Sequence, residues 1–94
     1  MPSVTARATH RLIEDRKRRG LPETFAPRLS RRDGRLVLDF AAKPAAEDKV
    51  STDHGLSMFM APDVAEDPEH VIVDLQEKNG ADRLVLLRGR AQDR

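Results

Sequence analysis

Short turns divide this chain into segments whose apolar residues alternate with polar ones. The strongest turn signal is Asp33-Gly34, because both central positions of a two-residue type I′ turn need a positive φ, which aspartate and glycine tolerate. Leu36, Leu38 and Phe40 follow at every second position. A period of two is typical of a strand with one buried face, so the sequence predicts a β-hairpin over residues 25–40.

Two further turns continue the pattern. Asp53-His54-Gly55 precedes the alternating segment 56–60, and Lys78-Asn79-Gly80 lies between apolar segments at 71–75 and 84–87. Isolated hairpins are marginal in water, so these strands must join a larger sheet or two packed sheets.

One main helix is predicted, from Thr5 to Arg19. Thr5 has the side chain of an N-cap residue, and Gly20, followed by Pro22, has the properties of a C-terminal stop. Leu12 lies at the centre of its narrow apolar stripe. The helix and about six short strands in hairpins indicate a β-rich α+β domain, with the helix packed on the strands.

The alternation also predicts the core. Each set of apolar residues at period two lies on one sheet face, and Leu12 of the helix is expected to cover the same core. The strand residues expected to point inward are Leu36, Leu38, Phe40, Leu56, Met58, Val71, Val73 and part of Leu84–Leu87.

The chain contains no cysteine, which excludes a disulfide framework and a cysteine-ligated zinc site. Its first residues lack an apolar run of signal-peptide length, and no segment approaches the ~20 apolar residues that a membrane helix needs. We therefore expect a cytoplasmic protein without a membrane partner. The 94 residues make a single domain, 1–94, with an ordered core at about 4–88 and a flexible tail at 89–94.

Charge is distributed unevenly. Residues 1–35 hold ten Lys and Arg against four Asp and Glu, a net charge of +6, whereas residues 36–82 hold three against eleven, a net charge of −8. The two segments either neutralise each other or leave a basic surface for an anion or an acidic partner. Arginines on an outer strand can also serve to deter edge-to-edge pairing. The candidate binding residues are Arg16, Lys17, Arg18, Arg19, Arg28, Arg31, Arg32 and Arg35.

Other chemistry-bearing residues are scattered. His10, His54 and His70 lack the i,i+4 spacing of a metal site. A dense set of carboxylates lacks the glycine and the alternate spacing of a calcium loop, so a solvated acidic face is expected. No nucleophile-elbow, P-loop or zinc-protease motif is present, and we expect no catalytic residue, no metal site, no cofactor and no enzymatic activity. The carboxylates are Asp63, Glu66, Asp67, Glu69 and Asp74.

Several local motifs follow one another in a distinctive order. Val4-Thr5 opens the helix, and the loop Gly20-Leu21-Pro22-Glu23 leads from it to the first hairpin. After the strand that ends at Phe40 comes a proline loop with an acidic pair, Pro44 and Glu47-Asp48.

The second half of the chain continues this order. Val50 begins a short strand, and the turn Asp53-His54-Gly55 leads to the next strand. Ala61-Pro62-Asp63 then begins a short helix, and a final strand pair follows at 71–75 and 84–87. Over residues 4–88 the chain resembles the HesB/IscA-like proteins, the A-type carriers of iron–sulfur cluster assembly.

The resemblance implies a helix packed on two small sheets, a protein partner and a homodimer. It fails at the cluster ligands, because the cysteines of the family fall near Ser30–Gly34 and Arg88-Gly89-Arg90, which contain none. Since iron–sulfur clusters are held mainly by thiolates, we expect a related fold that carries no cluster. It would act as a non-catalytic accessory or protein-interaction module. The alternatives are a basic-faced module that binds nucleic acid or an acidic protein, and a carrier that binds iron through histidine and carboxylate.

Overall fold

The computed structural model describes residues 2–90, and the side chains of residues 2–88. Within this range the chain forms two helices and seven strands, which confirms the predicted β-rich α+β fold. The helices are α1 (Ala6–Arg18) and the one-turn α2 (Pro62–Ala65). The strands are β1 (Ser3–Val4), β2 (Ala26–Arg32), β3 (Arg35–Ala41), β4 (Lys49–Asp53), β5 (Leu56–Met60), β6 (Glu69–Lys78) and β7 (Ala81–Arg90).

The strands form two small sheets, as the resemblance implied. One has the order β1-β6-β7 and the other the order β3-β2-β5-β4. β1 joins β6 in parallel and β2 joins β5 in parallel, whereas the hairpin pairs are antiparallel. β1 adds to the six predicted strands, since two residues are too few to show a period. Because β3 and β4 lie at opposite edges of their sheet, residues 42–48 cross it, a span of roughly 14 Å.

The predicted turns are confirmed by their backbone angles. Asp33 and Gly34 have φ values of 52° and 79°, and Asn79 and Gly80 have φ values of 54° and 80°. Both pairs therefore satisfy the positive φ that a type I′ turn requires at its two central positions. The register of each hairpin follows, with Arg32 opposite Arg35 and Lys78 opposite Ala81.

The helix begins and ends as predicted. The Thr5 hydroxyl accepts a hydrogen bond from the Ala8 N–H at 3.2 Å, and Gly20 follows the helix with a φ of 70°. Leu12 and Ala8 are buried against the sheets. Three basic residues occupy the last turn, where the helix dipole favours positive charge.

The core contains most of the predicted residues. Leu12, Leu56, Met58, Val71 and Val73 are buried, and they pack with residues of both sheets. The three alternating residues of β3 and two of the leucines of β7 also contact this core but are only half-buried, because β3 and β7 are edge strands. These residues are Leu36, Leu38, Phe40, Leu84 and Leu86.

Three features differ from the sequence prediction. Leu29 and Val64, absent from the predicted core, are fully buried. Phe59 lies on the opposite face of β5 from Met58 yet is also buried. On that face it is flanked by Val50 of β4 and by Arg28 of β2, which binds Asp48 of the segment that crosses the sheet. β7 continues to Arg90, two residues beyond the predicted ordered core, because β6 supplies pairing partners that far. The rest of the predicted tail, residues 91–94, lies outside the described residues.

Candidate functional site

The eight candidate basic residues fall into three groups. Arg16 to Arg19 lie at the end of α1, Arg28 and Arg31 lie within β2, and Arg32 and Arg35 flank the tip of the first hairpin. The guanidinium of Arg19 lies 5.5 Å from the ring centre of Phe40. Phe40 and Arg35 stand five positions apart on one strand, so the first and third groups are separated by roughly 17 Å along β3.

Arg28 is bound to an acidic loop residue. Its Nε and Nη2 donate to the two carboxylate oxygens of Asp48 at 2.8 and 2.9 Å, and the Asp48 side chain is fully buried. The same carboxylate accepts the Ala45 N–H at 2.8 Å. The Arg28 hydrogen bonds keep the pKa of Asp48 below its ordinary value. This contact fastens the crossing segment 42–48 to the centre of the sheet.

Arg31 is bound in the same way to the segment after α2. Its Nη2 donates to Asp67 at 2.7 Å, and its Nε lies 3.5 Å from Asp63. The hydrogen bond from the Glu69 N–H has the largest effect in lowering the pKa of Asp67, and the hydrogen bond from Arg31 lowers it further. Arg28 and Arg31, two of the three arginines of β2, therefore pair with carboxylates from the acidic part of the chain, which is the neutralisation that the charge distribution suggested.

The remaining basic candidates differ in whether their side chains are already bound within the chain. Arg16 donates to the backbone oxygens of Glu23 and Phe25, and Arg18 pairs with Asp15 at 2.8 Å. Lys17, Arg32 and Arg35 are exposed and form no ion pair with the side chains of residues 2–88. Free cations thus remain at the hairpin tip and on the helix, and their binding of an anion stays a prediction.

A second polar cluster, which the sequence did not reveal, holds the N-terminal strand. Asp74 is buried and accepts hydrogen bonds from the Thr5 hydroxyl at 2.7 Å and from Arg7 at 3.3 Å. The hydrogen bond from the Thr5 hydroxyl has the largest effect in lowering the pKa of Asp74, and the hydrogen bond from the Leu75 N–H lowers it further. The prediction that Asp74 belongs to a solvated acidic face is therefore wrong, because the parallel pairing of β1 with β6 brings Thr5 beside it.

Two further side chains complete this anchoring. Asp53, at the end of β4, accepts the Val4 N–H at 3.1 Å, and His70 lies 3.0 Å from the Ser3 hydroxyl. The Asp53 contact links the two sheets, because Val4 belongs to one and Asp53 to the other. The cluster is therefore satisfied by contacts within the chain.

The three histidines lie apart. His10 pairs with Glu14 on α1 at 3.3 Å, His54 occupies a turn, and His70 contacts Ser3. In the described part of the chain no three His, Asp or Glu side chains are grouped so as to hold a metal ion. Neither helix of residues 2–90 is long and apolar enough to cross a membrane.

A cleft of about 420 Å³ lies between residues 23–26 and β5. Its polar groups include Arg16, which is bonded to backbone oxygens, and Ser57, whose hydroxyl lies 3.3 Å from that of Thr52. A nucleophile needs an adjacent base to be activated, and the lining of this cleft supplies no such pair. Its geometry therefore favours no catalytic chemistry.

Comparison with known proteins gives the fold a context. No protein-family model and no curated protein sequence matches the chain. The structure is similar to that of SufA of Escherichia coli, a protein involved in the biosynthesis of iron–sulfur clusters, with a TM-score of 0.75 and 18% sequence identity over 93% of this chain and 84% of SufA. It is also similar to IscA solved with a [2Fe-2S] cluster, with a TM-score of 0.65 and 18% identity over 94% and 85% of the two chains.

At this identity the likeness establishes the fold. It confirms the resemblance that the motifs of the sequence indicated, including the two small sheets and the short helix that begins at Pro62. The chain has the fold of SufA and IscA, the A-type iron–sulfur proteins, and it has that fold without a single cysteine.

Proposed function

We propose that this protein is a non-catalytic accessory module of the cytoplasm, related to iron–sulfur cluster assembly, which carries no cluster and works by binding protein partners, a second copy of itself included. The observation that carries the proposal is a fold shared with SufA over 93% of the chain, in a sequence with no cysteine.

The donor set of this chain does not fit an iron–sulfur cluster. Clusters are held by thiolates, with imidazole replacing two of them in some sites. No thiolate is available here, and His10, His54 and His70 lie on separate elements, two of them already in contact with neighbouring side chains. A cluster bound to this chain would need all of its thiolate ligands from elsewhere.

Reconstitution with iron and sulfide tests the first half of the proposal. The purified protein is incubated anaerobically with ferrous iron and sulfide, desalted, and examined by visible absorption and iron analysis. We expect no visible band and no retained iron. A band that survives desalting with stoichiometric iron contradicts the proposal and favours ligation by histidine and carboxylate.

The alternative function, a basic-faced module for nucleic acid, is tested separately. Arg28 and Arg31 are neutralised within the chain, which leaves a small number of free cations for phosphate contacts. We expect elution from heparin and from immobilised DNA at low salt. Retention that falls steeply with salt concentration, and is lost in the double variant Arg32→Glu and Arg35→Glu, favours the alternative.

A further inference from the structure

β3 is an edge strand whose outer side is open. A two-residue hairpin closes on a hydrogen-bonded pair, here Arg32 and Arg35. The backbone groups of Arg35, Val37 and Asp39 therefore face β2. Those of Leu36 and Leu38 face outward, where no further strand of the described chain pairs with them.

This edge lacks the usual protection against strand pairing. Natural edge strands carry a bulge, a proline or charges that repel an incoming strand. β3 contains no proline, and its register with β2 runs without interruption from Arg35 to Ala41. Its two charges, Arg35 and Asp39, have opposite signs and lie two positions on either side of Val37.

We propose that β3 pairs antiparallel with β3 of a second copy of this chain, about a two-fold axis at Val37, so that two four-stranded sheets become one. In this register Val37 faces its own counterpart and Leu36 faces the counterpart of Leu38. Arg35 then faces Asp39 of the other copy, twice. The register also satisfies the backbone hydrogen bonds between the two copies, because Leu36 and Leu38 are the residues whose backbone groups are free.

Charge complementarity is the reason that a second copy of this chain is favoured as the partner of β3. Arg35 and Asp39 are exposed and form no ion pair with the side chains of residues 2–88. Asp39 stands opposite Arg28, but that guanidinium is bound to Asp48, and Arg35 stands directly opposite Arg32, a like-charge arrangement that costs stability. A carboxylate from a second copy beside Arg35 offsets that repulsion. The interaction is self-complementary, as a two-fold interface must be.

The other edge of the same sheet provides the comparison. β4 also carries a cation and a carboxylate, Lys49 and Asp53, two positions on either side of its centre. Asp53 is already engaged, because it accepts the Val4 N–H. The β4 edge therefore lacks a free carboxylate, whereas the β3 edge has one in Asp39.

The proposal rests on the proposed function, because it names the surface through which the module associates with itself. Charge reversal tests the register. Sedimentation of the full chain from ~10 μM to ~1 mM should show a monomer–dimer equilibrium, weak because the paired surface is small. Arg35→Asp alone and Asp39→Arg alone each turn both ion pairs into like-charge contacts. Each should weaken dimerisation by about tenfold or more.

Two combinations of these substitutions should restore dimerisation in the same register. An equimolar mixture of the two single variants should form a heterodimer, and the double variant Arg35→Asp with Asp39→Arg should regain the dimer. Lys49→Glu, an equal charge change on the β4 edge, should leave dimerisation unchanged. Hydrogen exchange should show concentration-dependent protection of the Leu36 and Leu38 amides, while the Val37 amide, already bonded to β2, stays as it is.

Several results would overturn the proposal: a wild-type chain that stays monomeric at ~1 mM, single variants that dimerise like wild type, or a mixture that stays monomeric. Sensitivity of the dimer to Lys49→Glu, with none to the β3 variants, would assign the interface to β4. None of these outcomes bears on cluster binding, which the absorption experiment decides by itself.

Discussion

β2 and β3 form one hairpin, yet their surroundings are opposite. β2 is a central strand, with Leu29 fully buried on one face and Arg28 tied to a buried carboxylate on the other. β3 is an edge strand, with half-buried leucines and with charges that find no partner in the described chain. The same residue types are therefore part of the fold on β2 and available to another molecule on β3.

The presence of a charged residue on a strand does not by itself reveal whether that residue stabilises the monomer. Arginines at 28 and 35 are indistinguishable in the sequence, but only the first is opposite a loop that crosses its sheet. Position within the sheet, rather than residue type, decides whether the charge stabilises the monomer or is left for a partner.

The largest effect that separates the two strands is loss of apolar packing. Leu29→Ala should lower the free energy of unfolding by about 3–4 kcal/mol, because it leaves a cavity at a fully buried site. Leu38→Ala should cost about 1–2 kcal/mol, because that side chain is only partly buried at the edge of the sheet. Urea denaturation of both variants measures the difference. Equal losses would show that β3 is as central as β2.

Removal of the buried carboxylate should have the next largest effect. Asp48→Asn leaves Arg28 without its charged partner and loosens segment 42–48, at a cost of about 2 kcal/mol in unfolding free energy. Asp39→Ala is the matched control on β3, and it should change stability by less than about 0.5 kcal/mol. If Asp39→Ala proves the more damaging change, the assignment of tied and free charges is inverted.

Low pH should weaken the ion pair between Arg28 and Asp48. The pKa of Asp48 is lowered in the folded chain, so its contribution is present above about pH 4, the unfolded value, and is lost as the pH falls through the lower folded value. The stability difference between wild type and Asp48→Asn should therefore shrink at pH values below about 4. Thermal melts between neutral and strongly acidic pH measure it. A constant difference would mean that the carboxylate charge does not stabilise the fold.

The smallest of these effects concerns the turn that joins the two strands. Gly34→Val should destabilise by about 1 kcal/mol or more, because Gly34 has a φ of 79°, which a β-branched residue adopts only with strain. No neighbouring atom lies within 4 Å of the added Cβ, so the cost should be conformational rather than steric. Gly34→Asn, which tolerates this φ better, should recover much of the loss in melting temperature.

Local chemistry made most of the fold predictable. Turn residues, the Thr5 N-cap and the period of two are short-range signals, and they located the helix, the three hairpins and the alternating core residues. The two-residue strand β1 and the burial of Phe59 were missed, because each depends on a strand more than 25 residues away in the sequence, β6 for β1 and β2 for Phe59. The candidate basic residues were chosen by type alone, and type does not reveal which carboxylates approach them.

The sequence by itself determined two things about this protein. It determined the order of elements, through turns and alternation that act between near neighbours, and it excluded thiolate chemistry, through the absence of cysteine. The tertiary structure decided which strands are central and which are edges, and thereby paired Arg28 with Asp48 while it left Arg35 and Asp39 open. The physical reason is that burial and ion pairing depend on contacts between parts of the chain that are separated in sequence, which form only when the strands assemble into sheets and the sheets pack together.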